Sequence, residues 1–441
     1  MGLGLLGRGI GDAKYIASCG ADLIVTDLKS EGNLAASVAE LKDFPNIVYT
    51  LGEHKLEDFQ NRDLIIKAAG VPLDSPFIAE AQKNGIPVRM SADLFMELSG
   101  IPTIGITGTR GKSTVTHMIA AILKEAGEKI LLGGNVRGVS NLALLKDVTP
   151  EHIAVLELDS WQCQGLGEAK LSPHIAVFTT FYSDHVNYYG STPSTSLGTS
   201  SLTTGKNARD LYLADKANIF LFQHSEDTLV LGSQCAELVK GKYSAQLKSQ
   251  VVIPGGLPAN WQLKIPGEHN RYNAALALAA ARAYGVGDEV SREALENFSG
   301  VPGRLELVRE VNGVKIYNDT AATVPEATLA ALEALDVGPT RSNIILIMGG
   351  ADKGLDMGAL IEKVKHLEKV VLLAGTGTDR IKNQLQGNPT IYSSLSDAVA
   401  AAYAAATAGD VLLFSPAFAS FGMFKNEYDR GDQFNALVGN L

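Results

Sequence analysis

Between Thr107 and Thr114 the chain reads TGTRGKST: two glycines, a lysine, then two hydroxyl residues. Glycines let a turn present its backbone N–H groups, lysine adds a mobile charge for the outer phosphates, and a following hydroxyl can hold Mg²⁺. The full phosphate-loop pattern has a glycine six residues before the lysine. Ile106 stands there instead, so the loop is a shortened form. Gly108, Thr109, Arg110, Gly111, Lys112, Ser113 and Thr114 are therefore the candidate nucleoside-triphosphate site. Other residues suited to phosphate and metal follow. Glu157 closes the apolar run that begins at His152, and an acid at a strand end opposite a phosphate loop commonly holds Mg²⁺. Asn135, behind Gly133 and Gly134, is placed to touch phosphate or substrate. His185 follows the strand Ile175–Thr180, and Lys216 lies in the helical pattern Asp210–Phe222. Asn270 and Asn273 share a helical face, where they either hold a base or cap the helix Asn273–Tyr284.

A phosphate loop needs a strand before it and a helix after it. Strand formers precede the turn, and Val115, Met118, Ile119, Ile122, Leu123 and Ala126 recur at helical spacing before Gly127. That arrangement aims the helix N-terminus at the anion. At the start of the chain Gly2, Gly4 and Gly7 have the spacing of a dinucleotide fingerprint. Asp27 ends the next apolar run, where it can hold a ribose or similar diol. The strand that should precede these glycines is almost absent, and the same turn suits any nucleotide diphosphate. Strand–helix alternation continues through Asp63–Lys67, Ser75–Asn84 and Ile86–Arg89. Near Val301 a further region opens with a hairpin around Asn312-Gly313. Thr323-Val324-Pro325-Glu326 follows as a capping box that starts a helix at Thr323. Three apolar strands, Ile344–Met348, Val370–Ala374 and Val411–Phe414, end in glycine-rich or polar segments of the kind that bind ligands in open sheets. The expected fold is α/β in three domains. A Rossmann-like domain covers 1–93, a central P-loop ATPase-like parallel sheet covers 94–299, and a Rossmann-like domain covers 300–441. The Ser/Thr/Gly stretch 191–206 reads as a flexible insertion.

A length of 441 residues accommodates several cores. Net charge is −10 with no basic run, which argues against nucleic acid and anionic membrane as partners. Cys19, Cys163 and Cys235 are scattered and suggest a reducing compartment. With no signal peptide or membrane-length apolar run, the expectation is a cytoplasmic monomer.

Taken together, Thr107–Thr114, Leu156–Gln162 (LELDSWQ), Asp184-His185, Ala214–Phe220 (ADKANIF), Gly267–Asn273 (GEHNRYN), Arg304, Asn318–Thr323, Lys353, Ser415–Ser420 and Phe424–Gly431 resemble the Mur ligase family over essentially the whole chain. The likeness is to the members that add glutamate to UDP-N-acetylmuramoyl-L-alanine. It implies an ATP-dependent amide-bond-forming ligase of peptidoglycan synthesis, and through it of cell shape and division. An acyl phosphate would be the intermediate. By this resemblance Lys112, His185 and Lys216 would be catalytic. Two Mg²⁺ sites would be formed by Ser113, Glu157, His185 and a carbamate on Lys216. Asn270, Asn273, Arg304 and Asp319 would join the ATP contacts. Gly4, Leu5, Leu6 and Asp27 would face the uridine diphosphate, and Asn135 and Gln162 the muramoyl-peptide. Thr323, Lys353 and Ser420 would meet the amino-acid carboxylates. The chain departs from the family pattern at Leu6, Ala68-Ala69, Arg110, Asp159, Ala321 and Glu427. Arg110 replaces an asparagine, Asp159 a serine, and Ala321 a lysine. The alternatives are a Mur-type ligase for another amino acid such as L-glutamate, folylpolyglutamate synthase, an NAD-dependent oxidoreductase using Gly2–Gly7, or a catalytically weak nucleotide-binding relative.

Overall fold

The computed structural model describes residues 1–4, 7–136, 138–182, 208–335, 343–387 and 389–441. Leu5, Leu6, His185 and the stretch 191–206 lie outside the described residues. The chain divides into two compact units, Met1–Pro258 with Asn273–Leu295, and Ala259–Tyr272 with Glu296–Leu441.

In the first unit, β1 (Leu23–Asp27) pairs in parallel with β2 (Ile47–Leu51), and β3 (Ile65–Ile66) with β4 (Val88–Arg89). The Gly2 N–H donates to the Thr26 carbonyl at 2.8 Å and the Ala68 N–H to the Met1 carbonyl at 2.9 Å. Met1 and Gly2 therefore carry strand-like bonding between β1 and the turn that follows β3. The six-stranded sheet of this unit is made of β5 (Thr103–Thr107), β6 (Lys129–Gly134), β7 (His152–Glu157), β8 (Ile175–Phe178), β9 (Thr228–Leu231) and β10 (Gln250–Val252). Its order is β10-β9-β8-β5-β7-β6, with every pairing parallel. A parallel sheet is covered on both faces, which is why β5, β7 and β8 are nearly continuous apolar runs. The helix Lys112–Glu125 buries Val115, Met118, Ile119, Ile122 and Leu123, the stripe that the sequence predicts.

In the second unit, β11 (Glu306–Val311) and β12 (Val314–Asn318) form the predicted hairpin. The sheet continues with β13 (Ile344–Gly349), β14 (Lys369–Leu373), β15 (Ile391–Tyr392) and β16 (Val411–Phe414). The order is β11-β12-β16-β13-β14-β15, antiparallel only at β11–β12, so the sheet is mixed. Apolar side chains pack on both of its faces.

Two helix starts differ from the sequence expectation. One helix begins at Pro325, leaving Thr323 in the preceding loop. Proline's fixed φ suits the first helical position, and the Thr323 hydroxyl accepts from Lys353 Nζ at 3.0 Å. The other helix runs Glu268–Tyr284 rather than from Asn273. Gly267, at φ +99°, turns the chain into it, and the Asn270 N–H donates to the Gly267 carbonyl at 3.0 Å.

Candidate active site

β5 lies between β7 and β8, and the chain reverses its direction of travel across the sheet at this point. Ligands of open parallel sheets bind at the carboxyl ends of strands flanking such a switch. The turn Gly108–Gly111 sits there. Gly108 has φ +142°, and a methyl group on it would lie 2.0 Å from Thr179 Oγ1. Gly111 has φ +85°, and its methyl would meet Asn273 Oδ1 at 2.5 Å. Only glycine tolerates both the angle and the crowding.

The turn is fastened to the end of β8 by two threonines that the sequence reading did not single out. The Thr109 N–H donates to the Thr180 carbonyl at 2.7 Å, the Arg110 N–H to Thr180 Oγ1 at 3.0 Å, and Thr179 Oγ1 to the Arg110 carbonyl at 2.5 Å. Polar residues just past an apolar strand end were the available signal. Arg110, the departure from the family pattern, thus contributes main-chain bonds that any residue supplies. Lys112 Nζ folds back onto the carbonyls of Gly108 (3.1 Å) and Thr109 (3.2 Å). Ser113 is buried in the first helical turn and Thr114 half-buried beside it.

Lys216 comes to the same turn from the helix Ala208–Leu221. It is 1% exposed, and its Nζ donates to the Gly108 carbonyl at 2.9 Å and Thr107 Oγ1 at 3.3 Å, 4.8 Å from the Tyr212 ring centroid. Beneath it burial pushes the Cys163 thiol up to about 12, so this cysteine is a packing residue rather than a nucleophile.

Glu157 ends β7, in register with Ile106 of β5 on one side and Gly134 of β6 on the other. Its carbonyl accepts from Asn135 N–H at 2.6 Å, and a methyl on Gly134 would lie 2.0 Å from that carbonyl oxygen. Glu157 as a residue is 4% exposed, and its carboxylate has no hydrogen bond or ion pair to any described residue. A carboxylate at a strand end beside the phosphate turn, without a partner among the described residues, suits a divalent cation. Among the described residues no three His, Cys, Asp or Glu side chains converge as a metal cage.

Other predicted residues in this unit are held by their own surroundings. Asp27 is buried and braces its loop, accepting from Gly4 N–H at 3.1 Å and Lys29 N–H at 2.9 Å. Asn135 Oδ1 accepts from Arg8, the first residue of the helix that follows the glycine turn. Asp159 and Gln162 form a capping box on the helix Ser160–Ala169. Asp159 Oδ1 accepts from Gln162 N–H at 2.8 Å, and Gln162 Oε1 from Asp159 N–H at 3.1 Å. Aspartate is among the side chains that cap a helix N-terminus best. Lys67, also missed in the sequence, is 3% exposed and donates to the Val71 carbonyl at 3.0 Å. Burial lowers it to about 8 against the opposing pull of Asp159 and Asp215.

In the second unit the ends of β12, β13 and β16 carry a second cluster. Asp319 accepts from Ser415 Oγ at 2.7 Å and Leu305 N–H at 3.1 Å, and burial raises it to about 7. Exposed Arg304 opposes that rise. Elsewhere in this unit, on the helix Glu268–Tyr284, Asn270 is buried and donates to the Pro266 carbonyl at 2.7 Å. Lys353 meets Thr323 as noted, and Ser420 is buried in the loop after β16.

Residues 106–281 match the Mur ligase middle domain, and residues 303–418 match the glutamate ligase domain of Mur ligases. The chain is 34% identical to a UDP-N-acetylmuramoylalanine–D-glutamate ligase of Roseiflexus sp., across 99% of this chain and 97% of that protein. The like-named ligase of Borreliella burgdorferi is 33% identical across 100% and 97%, and that of Streptococcus thermophilus 34% across 100% and 96%. Among solved structures, the UDP-N-acetylmuramate–alanine ligase of Thermotoga maritima superposes with a TM-score of 0.61 at 19% identity, covering 100% of this chain and 98% of the other. The MurF ligase of Thermotoga maritima in complex with ADP gives 0.58 at 18% identity, covering 88% and 97%. At such identities the structural likeness speaks for the fold alone.

Proposed function

The chain belongs to the Mur ligase family, and from that premise we propose how its residues carry out the family's reaction. It is an ATP-dependent ligase of peptidoglycan precursor synthesis, and D-glutamate joined to UDP-N-acetylmuramoyl-L-alanine is the reaction its relatives' names support. In this reading the chain has three domains, 1–93 for the UDP moiety, 94–299 for ATP and 300–441 for the amino acid.

The chemistry must turn a carboxylate, a poor acyl donor, into an acceptor for an amine. The alanyl carboxylate attacks the γ-phosphorus of ATP, the bond to the β-γ bridging oxygen breaks, and ADP leaves. The amine of glutamate then adds to the acyl phosphate, and the tetrahedral intermediate expels phosphate as the amine loses its proton. Two anions meet in the first step, so positive charge must be concentrated where they meet. The N–H groups where the turn enters the helix, from Gly111 to Ser113, and the Lys112 ammonium would supply it, those of Thr109 and Arg110 being tied to Thr180. Ser113 and Glu157 would hold one Mg²⁺, which would supply further neutralisation of the phosphates. The observation that supports this most directly is Glu157, a largely buried residue whose carboxylate has no protein partner among the described residues, one strand from the phosphate turn.

Lys216 and His185 would serve a second Mg²⁺, with a carbamate on Lys216. A carbamate keeps one N–H, enough for the Gly108 carbonyl that Lys216 already contacts. Gly4, Leu5, Leu6 and Asp27 would face the uridine diphosphate, and Asn135 and Gln162 the muramoyl-peptide. Asn270, Asn273, Arg304 and Asp319 would contact the nucleotide, and Thr323, Lys353 and Ser420 the carboxylates of glutamate. The test is phosphate release across D-glutamate, L-glutamate and related acceptors. Release is expected only with ATP, UDP-N-acetylmuramoyl-L-alanine and D-glutamate together. Release without the UDP substrate, or preferentially with another amino acid, would overturn the assignment.

A further inference from the structure

We propose that Arg430 is the positioning residue of the amino-acid site, and that its buried charge is what favours an acceptor with two carboxylates. The proposal rests on the reading above that Thr323, Lys353 and Ser420 receive glutamate.

The helix Glu427–Gly439 carries Arg430 into the interior of the second unit, where it is 0% exposed. Its Nε donates to Thr320 Oγ1 at 3.0 Å, one terminal nitrogen to the Thr320 carbonyl at 2.7 Å, and the other to the Phe418 carbonyl at 3.1 Å. These acceptors are neutral, and no carboxylate among the described residues lies within ion-pair distance of the guanidinium. Glu427, one turn earlier and half-buried, is the acid whose field reaches it. Buried arginines are normally paired, because an uncompensated charge in a low-dielectric interior is costly.

What the fork holds explains why the charge lies there. Thr320 leads into Ala321-Ala322-Thr323, and Phe418 into Ala419-Ser420. The same segments are tied by the Ala417 N–H to the Ala322 carbonyl at 2.9 Å, and by Ala351 and Ala419 exchanging both main-chain bonds. Lys353 closes the group through Thr323. One guanidinium therefore underlies the loops that carry the carboxylate contacts. A methyl on neighbouring Gly431 would lie 2.6 Å from Thr320 Cγ2, so the helix can approach this closely only with glycine there. Ala321 provides no cation of its own. An arriving glutamate brings two carboxylates to that charge, beyond the field of Glu427, whereas glutamine brings one.

The experiment compares Arg430→Gln, Arg430→Lys and the unchanged protein, with KM determined separately for glutamate, ATP and the UDP substrate. The ratio of kcat/KM for glutamate over glutamine is measured alongside. Arg430→Gln is expected to raise the glutamate KM about tenfold or more, to lower that ratio, and to leave the other two KM values unchanged. Arg430→Lys should fall between. An unmoved glutamate KM in folded Arg430→Gln, or an equal rise in all three, overturns the proposal. Should Arg430→Gln not fold, Glu427→Gln tests the charge instead. Removing the opposing acid should lower the glutamate KM several-fold, and no change overturns the proposal. If the unchanged protein does not use glutamate, the functional reading falls and this proposal with it. Activity with glutamate but an unmoved Arg430→Gln overturns this proposal alone.

Discussion

Lys112 satisfies its ammonium on the carbonyls of Gly108 and Thr109, so in this structure its charge rests on the turn that would receive phosphate. A triphosphate in the turn would compete with those carbonyls for the ammonium. Lys112→Ala should therefore leave the fold intact while kcat for phosphate release falls about 10²- to 10³-fold. Unchanged turnover would place the triphosphate elsewhere. Asp319 makes a different kind of prediction. Burial raises it from 3.8 to about 7, so the folded state binds its proton more tightly than the unfolded chain does. Stability from that proton is complete below pH 3.8, declines as pH rises, and is gone above about 7. The decline is about 1.4 kcal/mol per pH unit in that window. Asp319→Asn removes the dependence while retaining an acceptor for Ser415. The thermal midpoint should then fall less between pH 5 and pH 7.5 in Asp319→Asn than in the unchanged protein; equal slopes would contradict the assignment. Residue types alone pointed to Lys112 and Glu157 as candidate site groups, and Lys216 entered only through the family resemblance. They did not indicate that Lys216 is buried or that Asp319 titrates near neutrality, because both depend on residues far away in sequence.

At the scale of elements, the strand–turn–helix from Thr103 to Glu125 follows from local pattern. The apolar stripe, the two glycines and the helix start all lie within one short stretch, so few distant contacts are needed to specify it. What the stretch could not show is that the turn leans on Thr179 and Thr180, since strand neighbours in a parallel sheet are set by long crossovers. Gly108→Ala tests that support. Its methyl would sit 2.0 Å from Thr179 Oγ1 at a φ of +142°. A loss of about 1–3 kcal/mol and a weaker affinity for ATP should both appear, measured by denaturant unfolding and nucleotide titration. The capping box at Asp159 gives a gentler case. Asp159→Ser should alter stability by less than about 0.5 kcal/mol and Asp159→Ala lower it by about 1 kcal/mol. Equal losses would mean that the carboxylate matters for more than the cap. The helix starts at Glu268 and Pro325 were misjudged from sequence for a common reason. Asparagine and threonine are good caps, but Gly267 and Pro325 constrain the backbone itself and prevail.

At the scale of the whole molecule, composition indicated the α/β class, because glycine- and alanine-rich strand–helix alternation has few other solutions. It did not indicate the division into units. Residues 259–272 belong with 296–441, while 273–295 belong with the first unit. No change in composition marks those crossings, which are fixed by packing between segments remote in sequence. Each unit packs apolar clusters of its own. The first is built around residues such as Phe178, Tyr212 and Phe220, and the second around Phe414 and Phe434, whose rings stack at 4.6 Å. Units with separate cores can unfold separately, so calorimetry should resolve two transitions. Phe434→Ala leaves a hole in a fully buried stack and should cost about 3–5 kcal/mol, lowering the transition of the second unit. The proposed UDP-substrate contacts at Gly4, Asp27, Asn135 and Gln162 all lie in the first unit. The UDP substrate at about a hundred times its Kd should therefore stabilise that unit by about 2.7 kcal/mol and raise the other transition. A single transition that Phe434→Ala and the UDP substrate move together would show that the two cores melt as one cooperative body.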